Sequence, residues 1–263
     1  MLLAQLISLP VSILLFIWML SIKKNDPFPR GSVVSMLLSG ALCTFLATIL
    51  TLLLGLGALI LRIGPANIAE LFADPSNFQD SAAWKQLLEI SSNRSVAGAV
   101  RGAFLGTALI EELLKYLFMR ICLRRPGVMK NRIDAVACAA IIGLAFQVVE
   151  DLYYASGSVL LAVLRALTPL HFVFGVIMGY YYGQYKVTGR KWDGILALLL
   201  PILAHGFYDS GVAILKVDDS YLEATLIIMG LSLALMVYVI WKLRRLMKDG
   251  TLSEPITVPE ASR

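Results

Sequence analysis

Long apolar runs alternate along this chain with short stretches where the charge is gathered. The runs cover residues 2–20, 33–63, 96–119, 135–155, 159–183, 194–215 and 222–241. All but 33–63, which is longer, are close to the ~20 residues that a helix rising 1.5 Å per residue needs to cross a hydrocarbon core. The pattern predicts an all-α fold, a polytopic membrane helix bundle of about seven transmembrane helices. Residues 2–20 are apolar from the second position and have neither a basic n-region nor a small-residue cleavage site, so a retained span is expected there. The run 33–63 has room for a tilted span or a span with an interfacial turn, and Gly64-Pro65 ends it. Between 64 and 95 lies the one extended polar segment. Leu71, Phe72, Phe78, Trp84, Leu87 and Leu88 scattered through it predict short amphipathic helices on the outer interface.

Charge then sets the orientation. Lys23, Lys24 and Arg30, then Arg120, Arg124, Arg125, Lys130 and Arg132, then Lys186, Arg190 and Lys191, and finally Lys242, Arg244, Arg245 and Lys248 all fall on one side of a seven-span chain. By the excess of basic residues in cytoplasmic loops that side is inside, with the N-terminus outside and the C-terminus cytoplasmic. The net charge of +5 is therefore topological and points to no nucleic acid. A composition 58% hydrophobic and 16% charged excludes a soluble domain and leaves the lipid bilayer as the surrounding medium. Cys43, Cys122 and Cys138 lack CxxC spacing and sit in or beside apolar runs, which predicts neither a disulfide framework nor a thiolate metal site. The chain divides into 1–95, N-terminal spans and outer segment; 96–215, a core carrying the chemistry; and 216–263, the last span and a tail.

Ionisable residues inside the runs need a reason, because a charge at bilayer depth costs at least about 2.5 kcal/mol. The third run carries Glu111, Glu112 and Lys115, spaced so that the ammonium reaches either carboxylate from one helix face. In the fourth, Phe146 and Glu150 share a face and Asp151 follows. The fifth carries His171 with Gly175, Gly179 and Gly183 at four-residue intervals on the same face, so that the histidine looks onto a close helix contact. Gly98, Gly102 and Gly106 form a similar stripe in the third run. In the sixth, His205 and Asp209 lie one turn apart. These residues, which include both histidines of the chain, are expected to converge on one polar cavity between spans three to six. Two imidazoles with one or two carboxylates match a catalytic zinc site that keeps a position open for water. They equally match a carboxylate base with a histidine partner and no metal. The chain has no His-Glu-x-x-His and no Gly-x-Ser-x-Gly, nor does a Gly-Asp pair occur in the spans. Counting from the basic loops puts Glu111 about 13 Å and Glu150 more than about 20 Å above the cytoplasmic side, an offset that calls for a tilted or unevenly started fourth span.

Taken in order, Glu111-Glu112-x-x-Lys115, Phe146-x-x-x-Glu150-Asp151, His171 and His205-x-x-x-Asp209 resemble the signature of the PrsW family of intramembrane proteases. That family belongs to a wider group with the CAAX-prenyl proteases and bacteriocin-processing proteins, and the resemblance covers about residues 98–215. Asp151 stands where the family commonly has Asn. The resemblance implies an endopeptidase in a bacterial inner membrane that hydrolyses a peptide bond of a membrane-bound protein, in PrsW itself an anti-sigma factor. Glu111 and Glu112 would supply the general base and a ligand or supporting carboxylate, with Lys115 holding the pair. Glu150, His171 and His205 would complete the water-activating centre and bind a divalent metal, zinc foremost. Asp209 would orient His205 or line the oxyanion region. Whether a metal takes part stays open, since the wider group is described with both metal-dependent and glutamate-based chemistry. The alternative class is a non-catalytic scaffold or a proton- or ion-coupled carrier of the same fold, because carboxylates and histidines within spans also build proton relays. A carrier favours an inverted repeat with broken helices at matching positions, a symmetry this sequence lacks.

Overall fold

The computed structural model describes residues 7, 9–64, 67, 69, 81, 84–86, 89, 95–154, 163 and 165–253. Helices occupy each of the apolar runs, and there is no strand among the described residues. They are α1 (Leu9–Ile22), α2 (Ser32–Ile63), α3 (96–123), α4 (Arg132–Tyr154), α5 (Leu170–Thr188), α6 (Lys191–Leu215) and α7 (Leu222–Lys248). Within α3, Val96–Arg101 is α-helical, Gly102–Ala108 is a π-helix, and Leu109–Leu123 is α-helical again. The stretches Ser32–Ile63, Arg132–Leu152, Lys191–Leu215 and Asp219–Lys248 are long and apolar enough to cross a membrane, while Leu9–Ile22 is shorter. α3 carries its carboxylates and lysine inside the run, and α5 begins at Leu170, after Pro169, rather than at 159. The expected amphipathic helices of 64–95 fall almost wholly outside the described residues.

α4 is the centre of the bundle. Of its most apolar window 83% is buried, against 11% for that of α2, whose Leu52 and Leu61 face outward as a lipid-facing surface requires. Backbones approach α4 from both sides because glycine allows it. A Cβ added at Gly40 of α2 would lie 2.3 Å from the Ile142 carbonyl oxygen. One added at Gly175 or Gly179 of α5 would lie 2.4 Å from that of Ala139 or Ala135. Gly143 of α4 completes the seam, since its added Cβ would come within 2.2 Å of the His171 carbonyl oxygen. This seam fixes the height of His171.

The glycine stripe of α3 behaves otherwise. Added Cβ atoms at Gly102 and Gly106 meet nothing within 4 Å, and one at Gly98 meets only Ser95 of its own turn. The π-helical turn takes an extra residue and breaks the four-residue register on which the stripe was read. Contact with α6 is made instead by Phe104, whose ring fills the space over Gly206. The Gly106 carbonyl accepts a hydrogen bond from Thr51 Oγ1 of α2 at 3.0 Å.

At the basic end, Asn131 and Asp134 form a capping box at the start of α4. Asn131 Oδ1 accepts from the Asp134 N–H at 3.2 Å, and Asp134 Oδ2 accepts from the Asn131 N–H at 3.0 Å. Asp134 also pairs with buried Lys23 at 2.5 Å, which ties the end of α1 to the start of α4. Hydrogen bonds from Lys130 and Lys23 hold the Asp26 carboxyl below its ordinary range.

Candidate active site

The second α-helical part of α3, where Glu111, Glu112 and Lys115 are buried, packs against α2, α4 and α6 and reaches α5 through Lys115. Lys115 Nζ donates to Glu112 Oε1 at 2.8 Å and to Glu111 Oε2 at 3.5 Å. It also lies 2.8 Å from His171 Nδ1 and 3.8 Å from the centre of the Phe146 ring, a cation–π contact. An ammonium can only donate, so His171 Nδ1 is the acceptor and the ring proton sits on Nε2. That N–H donates to Glu150 Oε2 at 2.6 Å. Glu150 Oε2 accepts a second bond from Arg165 Nη2 at 2.8 Å, while Arg165 Nε donates to Asp151 Oδ1 at 2.5 Å.

His205 enters from α6. Its Nδ1–H donates to Glu112 Oε1 at 2.9 Å, and its Nε2 faces Asp209 Oδ2 at 3.3 Å and Glu111 Oε2 at 3.9 Å. The two imidazoles stand 5.0 Å apart and nearly perpendicular. Phe174 stacks on His205 at 5.1 Å and Phe146 packs on His171 at 4.8 Å, so both rings are walled in. A cavity of about 30 Å³ opens beside them, lined by Glu150, Arg165, His171, His205, Tyr208 and Asp209 among others. Since a water needs at least about 10–15 Å³, there is room for one or two.

Glu111, Glu112, Lys115, Glu150, His171, His205 and Asp209 are thus gathered in one place. Among the described residues Glu150 is linked to the α3 glutamates by hydrogen bonds through the two nitrogens of His171 and then Lys115. Glu111, Glu112, His171 and His205 each offer a ligand atom within 4.8 Å of the others, and all four residues are buried. Glu150, expected among the ligands beside the two histidines, bonds to the far nitrogen of His171 and stands outside this group. The donor set fits a divalent cation on three counts. Two imidazoles and carboxylates are the ligands zinc takes. Five carboxylates, those of Glu111, Glu112, Glu150, Asp151 and Asp209, surround two fixed cations, Lys115 and Arg165. Glu112 Oε2 is buried with no hydrogen-bond partner among the described residues, a state that is costly unless an ion or water satisfies it.

A family model described as PrsW family intramembrane metalloprotease matches residues 29–241. The chain belongs to the PrsW family. The likeness extends to bacterial proteins named Protease PrsW. The protein from Oceanobacillus iheyensis is 34% identical over 148 residues, 54% of this chain and 66% of the relative. Those from Bacillus subtilis and Clostridioides difficile are 33% and 28% identical, each over 41% of this chain and covering 52% and 50% of the relative. The chain therefore spans between half and two thirds of the length of these relatives. No solved structure matches it.

Three residues of the site were not singled out from the sequence. Arg165 reads as a stray charge near the start of an apolar run, and Phe174 and Tyr208 read as ordinary core aromatics. Phe174 lies one turn from His171 and Tyr208 beside Asp209, which is the only signal the sequence offers for either.

Proposed function

We propose that the protein is an integral-membrane endopeptidase that hydrolyses a peptide bond of a membrane-associated protein. The observation that carries this is the meeting of both histidines and the α3 glutamates in one buried cluster beside a water-sized cavity. Glu111 is the proton acceptor for the attacking water. Its contacts are the looser of the pair, 3.5 Å to Lys115 and 3.9 Å to His205 Nε2, so its carboxylate is the less committed of the two. Glu112 is pinned at Oε1 by both Lys115 and His205, so it orients those two groups. Without a metal, His205, steadied by Asp209, hands a proton to the leaving amine or a hydrogen bond to the developing oxyanion. A divalent metal such as zinc would be held by Glu112, His171 and His205 in place of the hydrogen bonds that Lys115 and Glu112 now make to the ring nitrogens, and when bound would supply an acidified water and polarise the scissile carbonyl. α1 to α7 all cross the bilayer in this reading, with the N-terminus outside and the cluster buried between α3, α4, α5 and α6. The substrate class is that of the family, a membrane-bound regulator resembling an anti-sigma factor.

The test is a comparison of new protein N-termini in membranes of cells producing the parent chain or its Glu111→Gln variant. The expected result is a small set of membrane proteins cleaved near a span only with the parent. Identical N-terminal profiles with both, at equal abundance of the two proteins, would falsify the assignment.

A further inference from the structure

We propose that Arg165 is a positioning residue of this site: its guanidinium aims the Glu150 carboxylate at His171 Nε2, and so decides which ring nitrogen of His171 faces the α3 cluster. The inference rests on the peptidase reading above and adds to it a device outside the motif-bearing positions. Arg165 lies between α4 and α5, a few residues before Pro169, and only 17% of its side chain is exposed. Nε and Nη2 lie along one edge of a rigid plane. They reach two consecutive acids at the end of α4, Asp151 at 2.5 Å and Glu150 at 2.8 Å. Asp151 is buried to 1% exposure, so without the guanidinium two adjacent carboxylates would repel in a poorly screened place.

The consequence travels along hydrogen bonds. Lys115 can only donate to His171 Nδ1, which forces the proton onto Nε2 and demands an acceptor there. Glu150 Oε2 is that acceptor, and the same oxygen is the one Arg165 holds. Arg165 and His171 both donate to Glu150, and Lys115 donates both to His171 and to Glu112, so these groups form one hydrogen-bonded chain from Arg165 to Glu112. A lysine at position 165 keeps the charge but offers a point donor, which cannot hold two carboxylates in one plane. The competing explanation is a latch that merely fastens the segment before α5 to α4. A latch has no effect on the tautomer of His171 or on turnover in the folded protein.

The experiment uses the full-length protein in lipid nanodiscs as parent, Arg165→Lys and Arg165→Gln. Turnover on a cleaved membrane protein is measured together with long-range proton–nitrogen spectra of protein labelled with ¹⁵N-histidine. The chain has only two histidines, so a His205→Gln sample assigns His171. The expected result for Arg165→Lys is an unchanged unfolding temperature and KM, kcat lower by about 10- to 100-fold, as for a misplaced reacting group, and a mixture of His171 tautomers in place of the single Nε2-protonated form. Arg165→Gln should lose more, and if it fails to accumulate, Arg165→Lys decides alone. Parental kcat in Arg165→Lys, or a fall in kcat with the His171 signals unmoved, overturns the proposal. A parent with no peptidase activity defeats the functional reading instead. The spectra then still judge Arg165, with mixed tautomers supporting its aiming role and unmoved signals overturning it.

Discussion

Lys115 is the residue on which the internal charge balance turns. Its ammonium is buried, and it is shared by Glu112, Glu111 and His171 with the Phe146 ring beneath. Replacing it by Met keeps the volume and removes the charge, which leaves Glu112 with His205 as its one partner among the described residues. Breaking a buried pair from one side costs about 3–5 kcal/mol, so Lys115→Met should fall sharply in abundance and in unfolding temperature in detergent. A variant as stable as the parent would show that the ammonium is not what neutralises the pair. Most of this cluster was legible in the sequence, because Glu111, Glu112, Lys115, His171, His205 and Asp209 are ionisable residues in apolar runs and hydrocarbon penalises them. The difference between the two glutamates was not legible. Both lie within a lysine's reach on helical spacing, and only the arrival of His205 from α6 assigns the tighter partner to Glu112. Arg165 was missed for the opposite reason: it stands near the start of its run, where a charge costs little and attracts no notice.

Among elements, the contrast between two glycine stripes is the informative one. Both repeat every four residues, and in sequence they are equivalent. α5 uses its stripe, since an added Cβ at Gly179 would lie 2.4 Å from a backbone oxygen of α4. α3 does not, because its π-helical segment changes the register and Gly102 faces open space. Gly179→Ala should therefore destabilise by about 1–3 kcal/mol, the usual cost of overpacking, and should lower activity by moving His171. Gly102→Ala should change stability by no more than about 1 kcal/mol. Thermal unfolding of the two purified variants checks this, and equal loss in both would mean that the α3 stripe packs after all. Helix existence was written in the hydrophobic runs. The late start of α5 was foreshadowed only by Pro169, and nothing in residue type announces the π-helical turn.

The molecule as a whole is a bundle with α4 at its centre and basic residues at one end. Its orientation can be checked with single cysteines, because Cys43, Cys122 and Cys138 are buried and give little background. Arg125→Cys, exposed between α3 and α4, should resist a membrane-impermeant maleimide added to intact cells, whereas Asp219→Cys before α7 should be modified. The reverse pattern would turn the molecule over. The account stands or falls, however, on whether the cluster does chemistry, and His205 is its most exacting member, with carboxylates facing both ring nitrogens. The direct measurement is the rate at which purified, reconstituted His205→Gln cleaves a membrane protein that the parent cleaves, with Asp209→Asn alongside and the folded fraction of each determined. Glutamine keeps a polar group of similar size, so the fold should persist while the rate falls by about 100-fold or more, as for loss of one preorganised donor or ligand. Asp209→Asn should lose less, since an amide oxygen still accepts from the ring. Cleavage by folded His205→Gln at the parental rate would contradict the account and reduce the cluster to a buried polar network between helices.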